Sequence, residues 1–146
     1  MDNVKIEKID ERAQIPTYGT NQSAGADLRA CLDETIVIRK NSRELVQTGL
    51  KMKIPSGYEG QIRPRSGLAL KQGITVLNSP GTIDSDYRGP IGVILYNTTS
   101  SDVEIKHGDR IAQIVFAKVG QPAFDEGEVG DDTERGEGGF GSTGKN

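Results

Sequence analysis

The sequence has few of the features that stabilise disulfide-linked, zinc-binding or membrane-spanning proteins. Its 146 residues include one cysteine, Cys31, so no internal disulfide can form and a structural zinc site is not expected. No apolar run is long enough to span a membrane. Residues 1–5 lack the apolar stretch of a signal peptide. We therefore expect a cytoplasmic protein, or a nuclear one in a eukaryote, that does not bind membranes.

Apolar and aromatic residues are also scarce, at 34% and 5% of the chain, whereas glycine is frequent, with 19 residues. This composition favours many turns and little helix. The formal net charge of −3 is unevenly distributed, because residues 125–146 carry seven acidic and two basic side chains. The remainder is slightly basic, which does not indicate a protein that binds nucleic acids. The length fits about one domain with a buried core.

Short apolar runs separated by turn residues recur along the chain. They are residues 4–9, 35–38, 44–46, 50–54, 58–62, 74–77, 91–96, 103–105 and 111–116. Many short runs at this spacing predict an all-β sandwich or barrel. One or two helical turns are predicted only near residues 66–71.

The composition changes after Pro122. Residues 125–134 are acidic, and residues 135–144 are close to low complexity, so this part of the chain cannot build a core. We therefore divide the chain into a core, residues 1–122, and a C-terminal arm, residues 123–146. The arm could be a disordered tail, the usual state of chain ends. Arg135 and Phe140 among glycines favour instead a flexible arm that closes over a ligand.

The segment 81–90 concentrates more chemistry than a structural turn needs. It carries Asp84, Asp86, Tyr87 and Arg88 between glycines and ends in Gly-Pro, a dipeptide typical of turns. The segment is predicted to form a β-hairpin, in which Asp84 and Asp86 would share a face. A solvated turn is the alternative.

A second candidate site begins at Arg65. Its planar guanidinium, the Ser66 hydroxyl and the backbone N–H groups near Gly67 suit phosphate oxygens at the start of a short helix. A capped helix start is the simpler interpretation of the same residues.

Three further polar side chains lie among small or apolar residues. Asp27 could hold a hydrated Mg²⁺, or it could pair with an arginine. Asp109 and Arg110 are predicted to form a structural ion pair. Gln113 lies within an apolar strand and needs a polar partner there, either water or a ligand phosphate.

Together these segments resemble the five motifs of the trimeric dUTP nucleotidohydrolases (dUTPases). The matching segments are residues 24–30, 64–70, 81–89, 108–116 and 135–144, in the family's order. The resemblance implies an all-β subunit of the β-clip type, a distorted jelly roll with one short helix. It implies a homotrimer whose swapped C-terminal arms close over the active sites of neighbouring subunits. It also implies hydrolysis of dUTP to dUMP and pyrophosphate, which keeps uracil out of DNA and supplies dUMP for thymidylate synthesis.

The resemblance further implies a role for each site residue. Asp84 would activate the water that attacks the α-phosphorus, and Asp27 would hold Mg²⁺ through water. Asn78 and the backbone near Gly92 would read the uracil, and Tyr87 would exclude a 2′-hydroxyl. Phe140 would stack on the base. The substrate-binding set is Arg65, Ser66, Gly67, Asn78, Thr82, Ile83, Tyr87, Gly92, Gln113, Arg135, Phe140, Gly141 and Ser142.

Two alternative functions belong to the same fold. A dCTP deaminase-like enzyme would need a catalytic glutamate near Ile94, yet no acidic residue lies between Arg88 and Tyr96. A catalytically silent nucleotide-binding or signalling protein would be expected to lack Asp84 or the C-terminal motif, and both are present. Hydrolysis of dUTP is therefore the favoured function.

Overall fold

The computed structural model describes residues 1–141, which form twelve β-strands and one α-helix. The elements are β1 Lys5–Lys8, β2 Thr17–Tyr18, β3 Ala26–Arg29, β4 Ile36–Ile38, β5 Arg43–Gln47, β6 Leu50–Lys53, β7 Tyr58–Arg63, α1 Ser66–Gln72, β8 Ile74–Val76, β9 Gly81–Ile83, β10 Gly92–Asn97, β11 Val103–Ile105 and β12 Arg110–Lys118. The predicted all-β class with one short helix is confirmed. Within residues 1–141 no helix has the length and apolar character needed to cross a membrane.

The strands form four small antiparallel sheets. The largest has the order β2-β3-β12-β7-β9, and a three-stranded sheet has the order β5-β10-β8. The strand pairs β1-β6 and β4-β11 complete the set. Most neighbours in these sheets are far apart in sequence, so the fold depends on long-range pairing.

One hydrophobic cluster lies between the sheets. Strand β10 illustrates the period of two, because Val93 and Leu95 are buried while Ile94 and Tyr96 are only partly covered. Asn97 ends the same buried face, and its side-chain amide donates to the carbonyls of Ile38 and Ser101 at 2.9 and 2.8 Å. Its Oδ1 accepts the Thr99 N–H, so this buried amide is fully satisfied.

The predicted hairpin over residues 81–90 is wrong. Strand β9 ends at Ile83 and pairs with β7, whereas β10 pairs with β5 and β8, so the flanking strands belong to different sheets. The segment between them is an irregular loop. Strands β2 and β3 were not expected either, because β2 has only two residues and the alternation in β3 extends over only four.

Helix α1 follows the Arg65 segment and ends at Gly73, whose left-handed φ of 63° closes the last turn. None of its residues is buried within the chain, and Leu70 is 87% exposed. The helix therefore lies on the surface of the subunit, beside the residues that precede it.

Arg12 links the N-terminal segment to the residues that follow β3. Arg12 contacts carboxylate oxygens of Asp10 and Asp33 at 2.6 and 2.7 Å and donates to the Leu32 carbonyl. The hydrogen bonds from Arg12 hold the pKa of Asp10 well below its usual range. Cys31 lies nearby, and burial raises the pKa of its thiol. An exposed ion pair of this kind adds little to the free energy of unfolding. Its role is to hold the two segments together locally.

Candidate active site

The five-stranded sheet aligns residues that are distant in sequence. Gln113 on β12 lies directly opposite Asp27 on β3 and Arg63 on β7. Residues opposite each other in antiparallel strands point to the same face. The register therefore brings Asp27 of the first motif and Gln113 of the fourth to one surface, next to the strand end that leads into the second motif.

Asp27 pairs with two arginines. Arg65 Nε donates to Asp27 Oδ1 at 3.1 Å, and Arg110 Nη1 lies 3.7 Å from Asp27 Oδ2. The predicted ion pair between Asp109 and Arg110 is therefore wrong. Asp109 instead uses Oδ2 to accept the Lys106 N–H at 2.8 Å and so closes the turn before β12. Arg110 therefore pairs with a residue of the neighbouring strand β3 and not with its neighbour in sequence.

Gln113 has the polar partner that its apolar strand requires. Its side-chain Nε2 donates to the Pro64 carbonyl at 2.9 Å. Its Oε1 lies against Gly25, where an added Cβ would come within 2.2 Å of that oxygen. Gln113 thus connects Gly25 to the backbone that leads into Arg65.

These residues line an open cavity of about 500 Å³, which we call the Arg65 cleft. It is lined by Gly19, Ser23, Ala24, Gly25, Asp27, Arg63, Arg65, Ser66, Gly67, Arg110, Gln113 and Val115. Three arginines outnumber one carboxylate, which makes the cleft suitable for an anion with several charges.

Asp84 opens a tight turn at the end of β9. Its carbonyl accepts the Tyr87 N–H at 3.1 Å, so Asp84 and Tyr87 occupy the first and fourth positions of the turn. Arg88 holds the loop by donating from Nη1 to the carbonyls of Ser85 and Tyr87 at 2.7 and 3.1 Å. The shared face expected for Asp84 and Asp86 depended on a strand, whereas residues 84–87 form a turn, and only Asp84 of the two lines the adjacent cavity.

That cavity, which we call the Asp84 pocket, has a volume of about 340 Å³. All six candidate residues between positions 78 and 92 line it: Asn78, Thr82, Ile83, Asp84, Tyr87 and Gly92. Leu45, Gln47, Ile62, Val76, Gly81, Pro90, Val93 and Ile94 complete the lining. Leu45 and Gln47 were not among the predicted site residues, because they reach the pocket only through the pairing of β5 with β10.

The C-terminal arm is folded on itself. Arg135 donates from Nε to the Gly138 carbonyl at 2.7 Å, and the Gly138 N–H returns to the Arg135 carbonyl at 3.0 Å. Phe140 has a left-handed φ of 52° and a fully exposed ring. A third cavity, the tail pocket, is lined by residues of the arm alone, Gly141 included. Ser142 lies outside the described residues.

The candidate site residues within residues 1–141 therefore fall into three groups, which line the Asp84 pocket, the Arg65 cleft and the tail pocket. Arg65, Ser66 and Gln113 also line a further cavity with Ser79 and Pro80. The Asp84 pocket and the Arg65 cleft share no lining residue, and the tail pocket shares none with either. Within a single chain, residues 1–141 do not bring Asp84 (the candidate general base), the candidate phosphate-binding residues and the arm into one cavity.

The candidate metal ligand, Asp27, lies in the Arg65 cleft. Within residues 1–141 no three His, Cys, Asp or Glu side chains are grouped to hold a metal ion. Asp27 is the one carboxylate among the lining residues of the cleft. Mg²⁺ keeps several waters and is usually held by one or two carboxylates together with substrate phosphates. The donor set thus fits a Mg²⁺ ion that binds with a phosphate ligand.

Comparison with known proteins gives a consistent result. The dUTPase family model matches residues 11–144. The deoxyuridine 5′-triphosphate nucleotidohydrolase of Roseobacter denitrificans is 56% identical over 92% of this chain and 90% of its own. That of Nautilia profundicola is 56% identical over 97% of this chain and 99% of its own.

Solved structures agree at the level of the fold. A variant dUTPase of Staphylococcus bacteriophage 80alpha with dUpNHpp has a TM-score of 0.88 at 24% identity, covering 99% of this chain and 100% of that one. A variant dUTPase of S. aureus phage phi11, described with the coordination of a structural Mg(II) ion, has a TM-score of 0.80 at 22% identity, covering 90% of this chain and 100% of that one. With the match to the family model and to relatives of more than half identity, this chain belongs to the dUTPase family.

Proposed function

We propose that Asp84 activates the water with which this chain, a member of the dUTPase family, hydrolyses dUTP to dUMP and pyrophosphate. Carboxylates are ionised at neutral pH and can accept a proton from water. A positioned general base typically contributes a factor of roughly 10² to 10⁴ to the rate. Attack on the α-phosphorus would release pyrophosphate as the leaving group.

One observation carries this assignment: Asp84 and Tyr87 occupy the two ends of a single turn that lines one pocket with Asn78 and Gly92. Because one turn holds both the catalytic carboxylate of Asp84 and the ring of Tyr87, the two side chains would face neighbouring parts of the same nucleotide. Asp84 is exposed rather than buried, so water can reach its carboxylate.

Selection of the base would also take place in the Asp84 pocket. The Asn78 side chain lies beside Gly81 and can offer both a donor and an acceptor to the uracil edge. Gly92 begins β10 opposite Gln47 and lines the pocket, where its backbone would complete the pairing with the uracil edge. Thr82 and Ile83 form the adjoining wall, where they would help to exclude the methyl group of thymine.

The triphosphate would be neutralised by the residues of the Arg65 cleft. Arg65, Ser66, Gly67 and Gln113 supply its donors, and Asp27 would hold the water shell of Mg²⁺. Bound with the substrate, the ion would withdraw charge from the phosphate oxygens. Asp27 also holds Arg65 Nε, so it orients the guanidinium while leaving the Nη groups for phosphate.

The separation of the three cavities supports an active site shared between subunits. In a homotrimer, the Asp84 pocket of one subunit would face the Arg65 cleft of a second. The arm of a third subunit would bring Arg135, Phe140, Gly141 and Ser142. The division into a core, residues 1–122, and an arm, residues 123–146, is part of this proposal. The cytoplasmic location stays a prediction.

The first test is hydrolysis of dUTP with Mg²⁺, followed by chromatography of the nucleotide products beside UTP, dTTP and dCTP. We expect dUTP to yield dUMP and the other three to remain. Asp84→Asn keeps the shape of the side chain and removes its basicity, so it should lower kcat by roughly 10²-fold or more while dUTP still binds. Near-normal turnover by this variant would exclude Asp84 as the base.

A further inference from the structure

The side chain of Tyr87 packs against Gly89. The Tyr87 hydroxyl donates to the Pro90 carbonyl at 2.9 Å, which bends the side chain back over its own loop. A Cβ added at residue 89 would lie 2.4 Å from the Tyr87 hydroxyl oxygen, 2.6 Å from Cζ and 2.9 Å from Cε1. The edge of the ring therefore occupies the space that any other side chain at position 89 would need.

The backbone of Gly89 does not explain why glycine is there. Its φ lies outside the left-handed region that favours glycine. It also precedes Pro90, which restricts residue 89 to extended conformations that alanine adopts freely. The contact with the Tyr87 ring is the remaining reason for a glycine at position 89. Without a Cβ there, the ring can occupy its observed position.

We propose that Gly89 is a specificity-determining positioning residue, which fixes the Tyr87 ring by leaving room for it and so sets the discrimination between deoxyribose and ribose. The inference rests on the proposed function, in which Tyr87 excludes a 2′-hydroxyl. The Pro90 carbonyl holds the far end of the ring, and Gly89 lets the ring reach that carbonyl. Gly89 acts through Tyr87 and is not itself a catalytic residue.

The contact predicts an effect on selectivity without a large effect on stability. The atoms that would clash belong to the far end of an exposed side chain, which can turn away into solvent. Displacement of the ring would open the space beside the sugar. Gly89→Ala should therefore lower the ratio of kcat/KM for dUTP to kcat/KM for UTP by about tenfold, the scale at which one methyl group in a pocket acts. The thermal unfolding midpoint should change little.

A double-mutant cycle tests the route of the effect. Gly89→Ala, Tyr87→Ala and the double variant are compared with the unmodified protein in dUTP and UTP hydrolysis. Without the ring, the added Cβ has nothing to meet, so the double variant should match Tyr87→Ala in its selectivity ratio. Gly120→Ala is the matched control, because its Cβ would meet nothing within 4 Å, and it should keep the original ratio.

The outcomes separate the inference from the function on which it rests. A selectivity ratio unchanged in Gly89→Ala, but reduced in Tyr87→Ala, overturns the role of Gly89 alone. Additive effects in the double variant also overturn it, because Gly89 would then act independently of the ring. A ratio unchanged in Tyr87→Ala removes the role of Tyr87 in sugar selection, and the role of Gly89 with it. Failure of the unmodified protein to hydrolyse dUTP contradicts the proposed function itself.

Discussion

At the scale of single residues, Gly25 is the clearest case of a position determined by its neighbour. It lies beside Gln113, whose amide holds the Pro64 carbonyl and so the start of the Arg65 segment. A Cβ here would meet Oε1 at 2.2 Å, Cδ at 2.9 Å and Cβ at 3.1 Å of Gln113. Unlike the contact at Gly89, this one involves a side chain that is held at its far end, so Gln113 would have to move and give up its bond to the Pro64 carbonyl.

We therefore expect Gly25→Ala to affect both stability and substrate binding. Overpacking of this kind typically costs about 1–3 kcal/mol of unfolding free energy. Loss of the bond from Gln113 to Pro64 should loosen Arg65 and raise KM for dUTP more than it lowers kcat. Urea unfolding and steady-state kinetics measure the two effects.

The control for Gly25→Ala removes the side chain that it meets. In a Gln113→Ala background, only the contact with the residue 113 Cβ at 3.1 Å remains, so the added methyl group at residue 25 should cost much less stability. An equal loss of stability in both backgrounds would show that the contact with Gln113 is not the cause.

The sequence predicted which residues carry chemistry better than it predicted their partners. Asp27, Arg65 and Gln113 were selected by residue type and motif. The sheet register brings Asp27 and Gln113 to one surface, and a hydrogen bond to Asp27 brings Arg65 there. The pairing of Arg110 with Asp27 instead of Asp109 could not be predicted, because it depends on which strands become neighbours. Gln47 was missed for the same reason.

At the scale of elements, the C-terminal arm differs from every strand of the core. Its hydrogen bonds within residues 123–141 join arm residues to one another. Phe124, Val129 and Phe140, its large apolar side chains in that range, are each at least 95% exposed. The arm therefore contributes little to the stability of the chain that carries it.

Deletion of residues 135–146 should consequently separate activity from folding. We expect kcat/KM for dUTP to fall roughly 10- to 100-fold, since stacking of an aromatic ring on a base is worth about 1–3 kcal/mol. The thermal unfolding midpoint should stay close to that of the full chain. Full activity in the truncated protein would rule out closure of the arm over the substrate, whereas a large loss of thermal stability would show that the arm is part of the core.

Strands and the helix could be predicted where a short stretch of sequence determines them. The alternating runs at residues 103–105 and 50–54 correspond to β11 and β6, and the short helix forms close to its predicted range. The hairpin at residues 81–90 failed because two apolar runs flanking a Gly-rich turn do not reveal that each pairs with a different strand. Such pairing is decided by contacts across the whole core.

At the scale of the whole molecule, the central question is how the three groups of site residues meet. Asp84 and Arg65 line cavities that share no residue within one chain. A trimer related by a threefold axis would solve this, because each pocket would face the cleft of the next subunit. The sequence indicated such an assembly only through its resemblance to a family, since oligomer contacts leave no periodic signal.

Hybrid trimers provide the decisive experiment. Asp84→Asn and Arg65→Ala subunits carrying different tags are co-expressed, and assemblies containing both are isolated by successive affinity steps. If each site takes Asp84 from one subunit and Arg65 from the next, every hybrid trimer has one site with both residues intact. Such hybrids should show roughly one third of the activity of the unmodified trimer, although each variant alone is nearly inactive.

The control is a mixture of the two separately assembled variants, which should have only the sum of their residual activities. Sedimentation should give a mass near three times the 15.7 kDa of the chain for every sample. Inactive hybrids of the correct mass would mean that Asp84 and Arg65 serve the same site from within one chain. The two cavities would then have to merge when the nucleotide binds. Recovered activity, in contrast, can arise only from an active site formed between subunits, because neither parent subunit contains both residues.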